Sequence, residues 1–458
     1  MNEDIFREYD IRGIADKDLT DQSVEDIASA YATYSHKYNI KKICIGRDCR
    51  LSSDRIFKTL SQKLIKYGIS IIDIGLVTTP ILYYCLHCYD VDGGIMITAS
   101  HNPSDYNGFK AAVGINVLSS EQIQKLKFII QKKNFIPESA PGQIYFNDPL
   151  ESYIQDLKER VNIQKKLKVG LDCANTPIGL FAKKVFDEFG CETFAIFEEP
   201  DGTFPNHHPD PSVESNLDDL KKLVLKKKLD IGIAFDGDGD RIGVLDGNGV
   251  FINADIVLLI LAKSILVNNP NAKIIGEVKC SKVFFDEVEN AGGQAIMWKT
   301  GHSKIKEKIK DEDALLAGEL SGHIFFKDNH YGYDDALFAA LRLIETISSS
   351  NESLSEMIDK IPSTASTPEI RIDFPEDKKF AAIEKLIKEV EKDLRDFKVT
   401  KIDGMRIEDS TGWALVRASN TQPALTLRFE SDSNKNLLVL KEYIKDKIHK
   451  STGLECKL

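Results

Sequence analysis

The segment Asp236-Gly237-Asp238-Gly239-Asp240-Arg241 sets three carboxylates at alternate positions with only glycine between them. Like charges so close repel, and burying them without compensation is expensive. Glycine lets the backbone bend until all three converge on one point. A hard divalent cation, Mg2+ by preference, removes the repulsion. Arg241 can hold a phosphate oxygen beside that metal. An EF-hand is excluded, because its sixth position should be Gly and its twelfth Glu, and Arg241 and Gly247 stand there. A solvated acidic turn is the plainer alternative. Three acids closing the apolar run DIGIAF argue against it.

Three other loops carry reactive side chains. Thr98-Ala99-Ser100-His101-Asn102-Pro103 follows the strand-like GGIMI, and ligands gather at the carboxyl ends of strands. Serine beside histidine suggests an activated hydroxyl. Neighbours in extended chain point opposite ways, however, so His101 is not an obvious base for Ser100. A polar turn ended by Pro103 explains the segment equally well. Gly318-Glu319-Leu320-Ser321-Gly322-His323 offers donors and acceptors suited to sugar hydroxyls. Acid–base work by Glu319 or His323 is open there, although a polar turn is the better reading of that motif by itself. Arg417-Ala418-Ser419-Asn420-Thr421-Gln422-Pro423 combines a guanidinium fork, hydroxyls and an amide, a phosphate cradle or a plain hairpin connection. Arg12, Lys110, Lys279 and His302 fit the theme, but each by itself reads as a surface charge or a satisfied core group. His207 and His208, adjacent in a proline-rich stretch, receive no role. A serine hydroxyl, a divalent cation and scattered Arg and Lys are together the parts of phosphoryl transfer.

The elements that must position these loops recur. Lys42–Gly46 reads as a strand, Ser53–Tyr67 as a helix, and Gly68 precedes the apolar ISIIDI. Lys168–Asp172, Ile178–Phe189, Gly190 and TFAIF repeat the pattern, as do Lys273–Val278, Ser281–Asn290, Gly292-Gly293 and QAIMW. Each is a βαβ unit with a parallel strand pair and a right-handed crossover. Their spacing predicts three related α/β domains in tandem. The last ninety or so residues place strands in succession (EIRIDF, VTKIDGMRIE, GWALVRAS, ALTLRFE) between two helices, which predicts a smaller antiparallel α+β domain. The expected boundaries are 1–148, 149–250, 251–362 and 367–458, with a hinge over Ile361–Pro368. A length of 458 residues suits about three or four domains, and separate cores are expected because single cores stop growing beyond ~250–300 residues.

Composition narrows the class. Hydrophobic residues at 42% and charged residues at 29% exclude a disordered chain or a rod. With 60 Lys and Arg against 71 Asp and Glu, the net charge of −11 argues against nucleic-acid binding. Local cations can still serve a small anion. The longest apolar stretch, Ala254 to Val267, is broken by Asp255 and Lys263, so no membrane span is expected. The acidic N-terminus does not read as a signal peptide. Eight scattered cysteines read as reduced thiols of a cytoplasmic protein. Cys85-Leu86-His87-Cys88 lacks the second ligand pair that a structural zinc needs.

TASHNP, DGDGDR, GELSGH and RASNTQP, in that order, resemble the four signature loops of the α-D-phosphohexomutase superfamily, and REYDIRG extends the resemblance over essentially the whole chain. The resemblance implies three α/β domains and a C-terminal α+β domain around a cleft. It implies that Ser100 is carried as phosphoserine, and that Asp236, Asp238 and Asp240 bind Mg2+ together with that phosphate. Glu319 and Ser321 would read sugar hydroxyls, and Arg417, Ser419, Asn420 and Thr421 would hold the phosphate that is not transferred. Arg12, Lys110, Arg241, Lys279, His302 and His323 match further active-site positions, with Lys110 and His323 the candidates for proton transfer. The implied reaction converts a hexose 1-phosphate to the 6-phosphate through a hexose 1,6-bisphosphate, which also primes the enzyme.

GELSGH with RASNT is most similar to the enzymes that accept both mannose and glucose phosphates; glucosamine-phosphate mutases typically show GEQSGH and a different final loop. A metal-dependent sugar phosphatase and a non-catalytic sugar-phosphate sensor are the competing classes. Hexose phosphates are the expected partners, with no nucleic acid and no membrane, and the chain is expected to be a monomer or a weak homo-oligomer.

Overall fold

The structure is a computed structural model that describes residues 2–393, 397–419 and 423–455. All three predicted βαβ units are present. Lys42–Arg47 pairs in parallel with Ser70–Leu76 across the helix Ser53–Ile65. That helix forms because Ile56, Leu60 and Leu64 recur every fourth residue and bury one face. Gly68, at φ +77°, then makes the left-handed turn into the next strand. Lys168–Asp172 pairs in parallel with Glu192–Ile196, and Lys273–Glu277 with Gln294–Trp298. The second crossover differs from the expected single helix. Pro177–Leu180 is a 3-10 turn, and only Ala182–Glu188 is α-helical. Proline has no N–H to donate and suits the first turn of a helix, which fits this tight start.

The units belong to three mixed sheets of seven, five and four strands among the described residues. In each, a strand next to the parallel pair turns back antiparallel. The pairs are Gly93–Ile97 with Tyr106–Val113, Ile231–Phe235 with Ile242–Asp246, and Leu316–Gly318 with Ile324–Phe326. The connections between those partners are the serine, aspartate and glutamate–histidine loops, so the same turn of the fold carries chemistry three times. The C-terminal domain is an antiparallel sheet built on Gly412–Ala418 and Ala424–Ser431. The helices Lys379–Val390 and Asn434–Thr452 cover it.

The apolar packing departs from the expectation of separate cores. One cluster runs from Cys44 and Ile81 through Phe186 and Phe235 to Leu258, Phe338 and Ile361, joining all three α/β sheets. The reason lies in helices apolar on nearly every face. Thr79–Cys88 buries eight of its ten residues, against the first sheet and the helix Leu150–Arg160, and Ala254–Asn268 nine of its fifteen, against strands of the second and third sheets. The C-terminal domain keeps its own core and meets the third α/β domain through Val278, Trp413 and Leu415. No described helix is long and apolar enough to cross a membrane.

Candidate active site

Ser100 lies at φ +50°, a left-handed conformation that costs a non-glycine residue about 1–2 kcal/mol. This overturns the extended geometry assumed for the TASHNP loop. The turn swings the two side chains together, and Ser100 Oγ lies 3.1 Å from His101 Nδ1. The hydroxyl donates to Asp236 Oδ2 at 2.8 Å, across the boundary to the second domain. Burial and the nearby cations Arg241 and Arg12 hold His101 well below the ordinary histidine pKa. Arg50 fixes the loop from behind. Its guanidinium donates to the carbonyls of Ser100 at 2.7 Å, Asn102 at 2.6 Å and Tyr106 at 3.0 Å, while Asp48 holds its Nε at 3.1 Å. Arg12 donates to Asn102 Oδ1 and pairs with Asp10.

Asp236, Asp238 and Asp240 are fully buried, and one oxygen of each lies within 4.8 Å of the others. Asp236 Oδ1 accepts the backbone N–H groups of Asp240 and Arg241. Lys110 donates to Asp238 Oδ2 at 2.7 Å and to Asp240 Oδ2 at 2.5 Å. Asp238 Oδ1 and Asp240 Oδ1 have no hydrogen-bond partner among the described residues, and His323 Nδ1 stands 3.5 Å from the latter. Burial, then repulsion from Asp240 and Asp238, pushes Asp236 well above the usual carboxylate range. Three buried acids, one lysine and two orphaned oxygens leave negative charge uncompensated, and an all-oxygen donor set of this kind fits a hard cation such as Mg2+. Burial lowers the Lys110 pKa, but the two facing aspartates override it and hold Lys110 well above the ordinary lysine range.

Gly237 permits the contact between the serine and aspartate loops, because a Cβ there would lie 2.1 Å from the Ser100 carbonyl oxygen. Gly237→Ala is therefore expected to push the loops apart. A misplacement of about 1 Å costs about 10²-fold in rate, so kcat should fall by about that factor in steady-state assays. A wild-type kcat would show that the two loops need not touch.

The third loop closes on the second. Arg241 and His323 pair through their backbones, and Arg241 Nε donates to His323 Nε2 at 3.0 Å. His323 Nδ1 lies 3.0 Å from Asp334 Oδ2, and Lys306 holds the other Asp334 oxygen at 2.6 Å. His302 stacks on His323 with ring centroids 5.9 Å apart. Burial, with Lys306 nearby, keeps His302 well below the ordinary histidine pKa. Glu319 Oε1 accepts the Gly301 N–H at 2.6 Å, and Ser321 is half-buried beside it. Burial, then the neighbouring Glu277, raises the Glu319 pKa.

Glu277 organises this side of the cleft. It is fully buried, accepts the Leu320 N–H and the Thr300 hydroxyl at 2.6 Å each, and lies 3.4 Å from Lys279. In the fourth domain, Arg417 donates to Asp403 Oδ2 at 2.9 Å, and the same oxygen takes the Thr300 N–H at 3.2 Å. Ser419 is buried, and its carbonyl accepts from Lys379. Asn420 and Thr421 lie outside the described residues. Sequence reading missed Arg50, Asp48, Lys306, Asp334, Glu277 and Asp403. None stands in a polar motif, though Glu277 lies two residues before Lys279, which was singled out, and Asp403 lies in the strand segment VTKIDGMRIE.

Cys85 is buried and Cys88 exposed, both as free thiols. The ligand groupings among the described residues, the aspartate triad and Asp240 with His323 and Asp334, include neither.

Three polar loops converging on a buried acidic triad, with Arg417 of the last domain joined to the third through Asp403 and Thr300, describe a phosphosugar-handling enzyme, and the chain belongs to the phosphoglucomutase/phosphomannomutase family. Its α/β/α domains I, II and III match residues 3–136, 151–249 and 253–364, and its C-terminal domain matches residues 369–447. Among curated relatives, the phosphomannomutase/phosphoglucomutase of Pseudomonas putida is 42% identical, covering 98% of this chain and 96% of its own. The phosphoglucomutase of Neisseria gonorrhoeae is 42% identical over 94% of each chain. A phosphoglucomutase/phosphomannomutase family protein from Burkholderia thailandensis superposes with a TM-score of 0.94 at 35% identity, covering 100% of this chain and 99% of that one.

Proposed function

We propose that the protein interconverts hexose 1-phosphates and hexose 6-phosphates, accepting both mannose and glucose, with Ser100 as the phosphoryl carrier. The observation that carries the reading is the junction of two domains at Ser100, where the Oγ meets Asp236 at 2.8 Å and Lys110 bridges Asp238 and Asp240. The Pseudomonas putida relative, named for both sugars, supports the dual specificity. Phosphoserine carries about −1.5 to −2 charges at neutral pH. Asp236, Asp238, Asp240 and phosphorylated Ser100 would hold Mg2+, which offsets charge on the phosphoryl oxygens when bound. Lys110, Arg12 and Arg241 supply fixed positive charge around the same oxygens.

Transfer to the free hydroxyl of a hexose monophosphate requires that hydroxyl to lose a proton. His323 is the group for this: Asp334 holds its Nδ1 side, which leaves Nε2 as the nitrogen to take the proton once Arg241, whose N–H it accepts, turns to the phosphoryl oxygens. Lys110, already shared by two carboxylates, serves as a charge rather than as a base. Glu319 and Ser321 read hydroxyls of the sugar ring. Arg417, Ser419, Asn420 and Thr421 grip the phosphate that is not transferred, with Lys279 and His302 between the two ends. The product of the first transfer is a 1,6-bisphosphate. Turned end for end, it returns its other phosphoryl group to Ser100. A cytoplasmic setting, where free thiols persist, is part of the proposal.

The test supplies Mg2+, a trace of glucose 1,6-bisphosphate, and mannose 1-phosphate or glucose 1-phosphate in separate reactions. Both sugars should give the 6-phosphate without release of inorganic phosphate. Stoichiometric free phosphate would mean a phosphatase. Conversion of glucosamine 1-phosphate instead would transfer the specificity to that sugar, and ligand-induced stabilisation without turnover would mean a sensor.

A further inference from the structure

His207, which the proposed reaction does not use, sits in a loop of the second domain that presses on the first. Both of its ring nitrogens face acceptors. Nε2 lies 3.0 and 3.1 Å from the two oxygens of the fully buried Asp172, and Nδ1 lies 2.9 Å from the His208 carbonyl. A neutral imidazole donates from one nitrogen only, so the arrangement calls for the imidazolium. The Phe197 ring stands edge-on 5.5 Å away, and the charged or titratable groups facing His207 are Asp172, Asp219 and His208. Burial opposes the charge, and Asp172 overrides it, so the His207 pKa lies above that of an ordinary histidine.

The pair anchors a strained loop. Ala174, Asn175, Phe197 and Phe204 all have φ between +48° and +56°, a region that bulky residues occupy only when their surroundings force it. Asn206 donates to Asn175 Oδ1 at 2.7 Å, and Asn175 donates to the Glu199 carbonyl at 2.9 Å. The far side of the loop meets the first domain. A Cβ on Gly202 would lie 2.4 Å from the Cys49 carbonyl oxygen and 2.7 Å from Arg50 Cα, so loop and backbone are already in contact. The Phe204 ring lies under the Arg50 guanidinium, 5.1 Å from its centre. His208 faces the backbone of His101. Arg50 is the residue that gathers the carbonyls of the Ser100 loop.

We infer that His207, charged and clamped by Asp172, is a positioning residue: it locks the 201–208 loop so that Gly202, Phe204 and His208 brace Arg50 and His101, and with them Ser100. The inference rests on the reading of Ser100 as phosphoryl carrier. Because the brace is remote from the sugar, its loss should lower the rate of transfer and leave substrate binding alone.

The test compares the full-length wild-type chain with His207→Asn and Phe204→Ala. Two readouts are used: mutase kinetics with glucose 1-phosphate, and hydrogen–deuterium exchange of the segment 98–106. Each variant should lose about tenfold in kcat with KM within twofold of wild type, and exchange over 98–106 should quicken about tenfold. Unchanged kcat in both variants, or a fall in kcat with wild-type exchange over 98–106, overturns the inference. If His207→Asn does not fold, Phe204→Ala decides by the same criteria, since its ring touches Arg50 from the loop's outer side. Failure of the parent reading is separable: wild type would then show no mutase activity, while exchange would still report whether the brace exists.

Discussion

Replacing Ser100 by alanine is expected to abolish mutase turnover, with kcat lower by a factor on the order of 10⁴ or more, while the fold persists. The expectation follows from the proposed role of Ser100 as carrier: removing a nucleophile leaves only binding and electrostatic assistance. His101 cannot substitute, because burial and the surrounding cations keep it a weak base and its ring is 3.1 Å from the position just vacated. Folding should survive because the loop is held through its carbonyls by Arg50, contacts that alanine retains. The measurement is turnover of glucose 1-phosphate with bisphosphate primer, together with intact mass after incubation with that primer. Wild type should gain one phosphoryl group and Ser100→Ala none. A phosphorylated alanine variant would move the carrier elsewhere.

Lys110→Met should produce the second large effect, in stability as much as in rate. The lysine is the counter-charge within 2.7 Å of two fully buried carboxylates. Deleting one partner of such a group leaves an unpaired buried charge and costs about 3–5 kcal/mol. Denaturant unfolding in the presence of a chelator should show that loss. Adding Mg2+ should return more stability to the variant than to wild type, since the ligand binds the folded state and the variant site is one charge more negative. The pH dependence has a definite sign. Burial raises the Asp240 pKa, but Lys110 overrides it and holds the carboxyl below the ordinary value, so the stability gained through this pair is present above the unfolded carboxylate pKa and is lost as pH falls through the folded one; the deficit of the variant should show at neutral pH and shrink in acid. Turnover should fall as well, by about 10²–10⁴-fold. Equal stability of the two proteins in chelator would mean that the triad is neutralised by other means.

What the sequence made legible was local. The polar loops, the three βαβ repeats and the antiparallel last domain are each patterns within a few residues, and the fold reproduces the repeats and the last domain. The missing parts are contacts between distant residues. Arg50 is fifty positions before Ser100, and a lone arginine after Cys49 carries no sign that four carbonyls await it. Glu277 ends a strand two residues before Lys279, which was singled out, but its role comes from accepting the Leu320 N–H forty-three residues on. The orientation of His101 was misjudged because an alternating strand pattern was extended one residue too far, into a serine at positive φ.

The apolar continuity beneath the three α/β sheets changes how the chain should be counted. By strand topology and by family it has four domains, each lending a loop to the cleft. By cooperativity it has two bodies. Leu258, Phe338 and Phe186 belong to one cluster, so the first three sheets share the free energy of a single core and none can loosen without exposing the others. The last domain has its own core and shares with the third a small apolar cluster of Val278, Trp413 and Leu415. Ser100 and the acidic triad therefore lie on the sheets joined by that shared core, where charges that repel must be held together. The loop proposed to grip phosphate belongs to the smaller body, whose ties to the third domain are largely polar: Arg406 to the Val278 and Cys280 carbonyls, Ser281 to Glu430 and Arg428 to the Lys279 carbonyl, bonds that water can replace when the proposed bisphosphate has to be turned around.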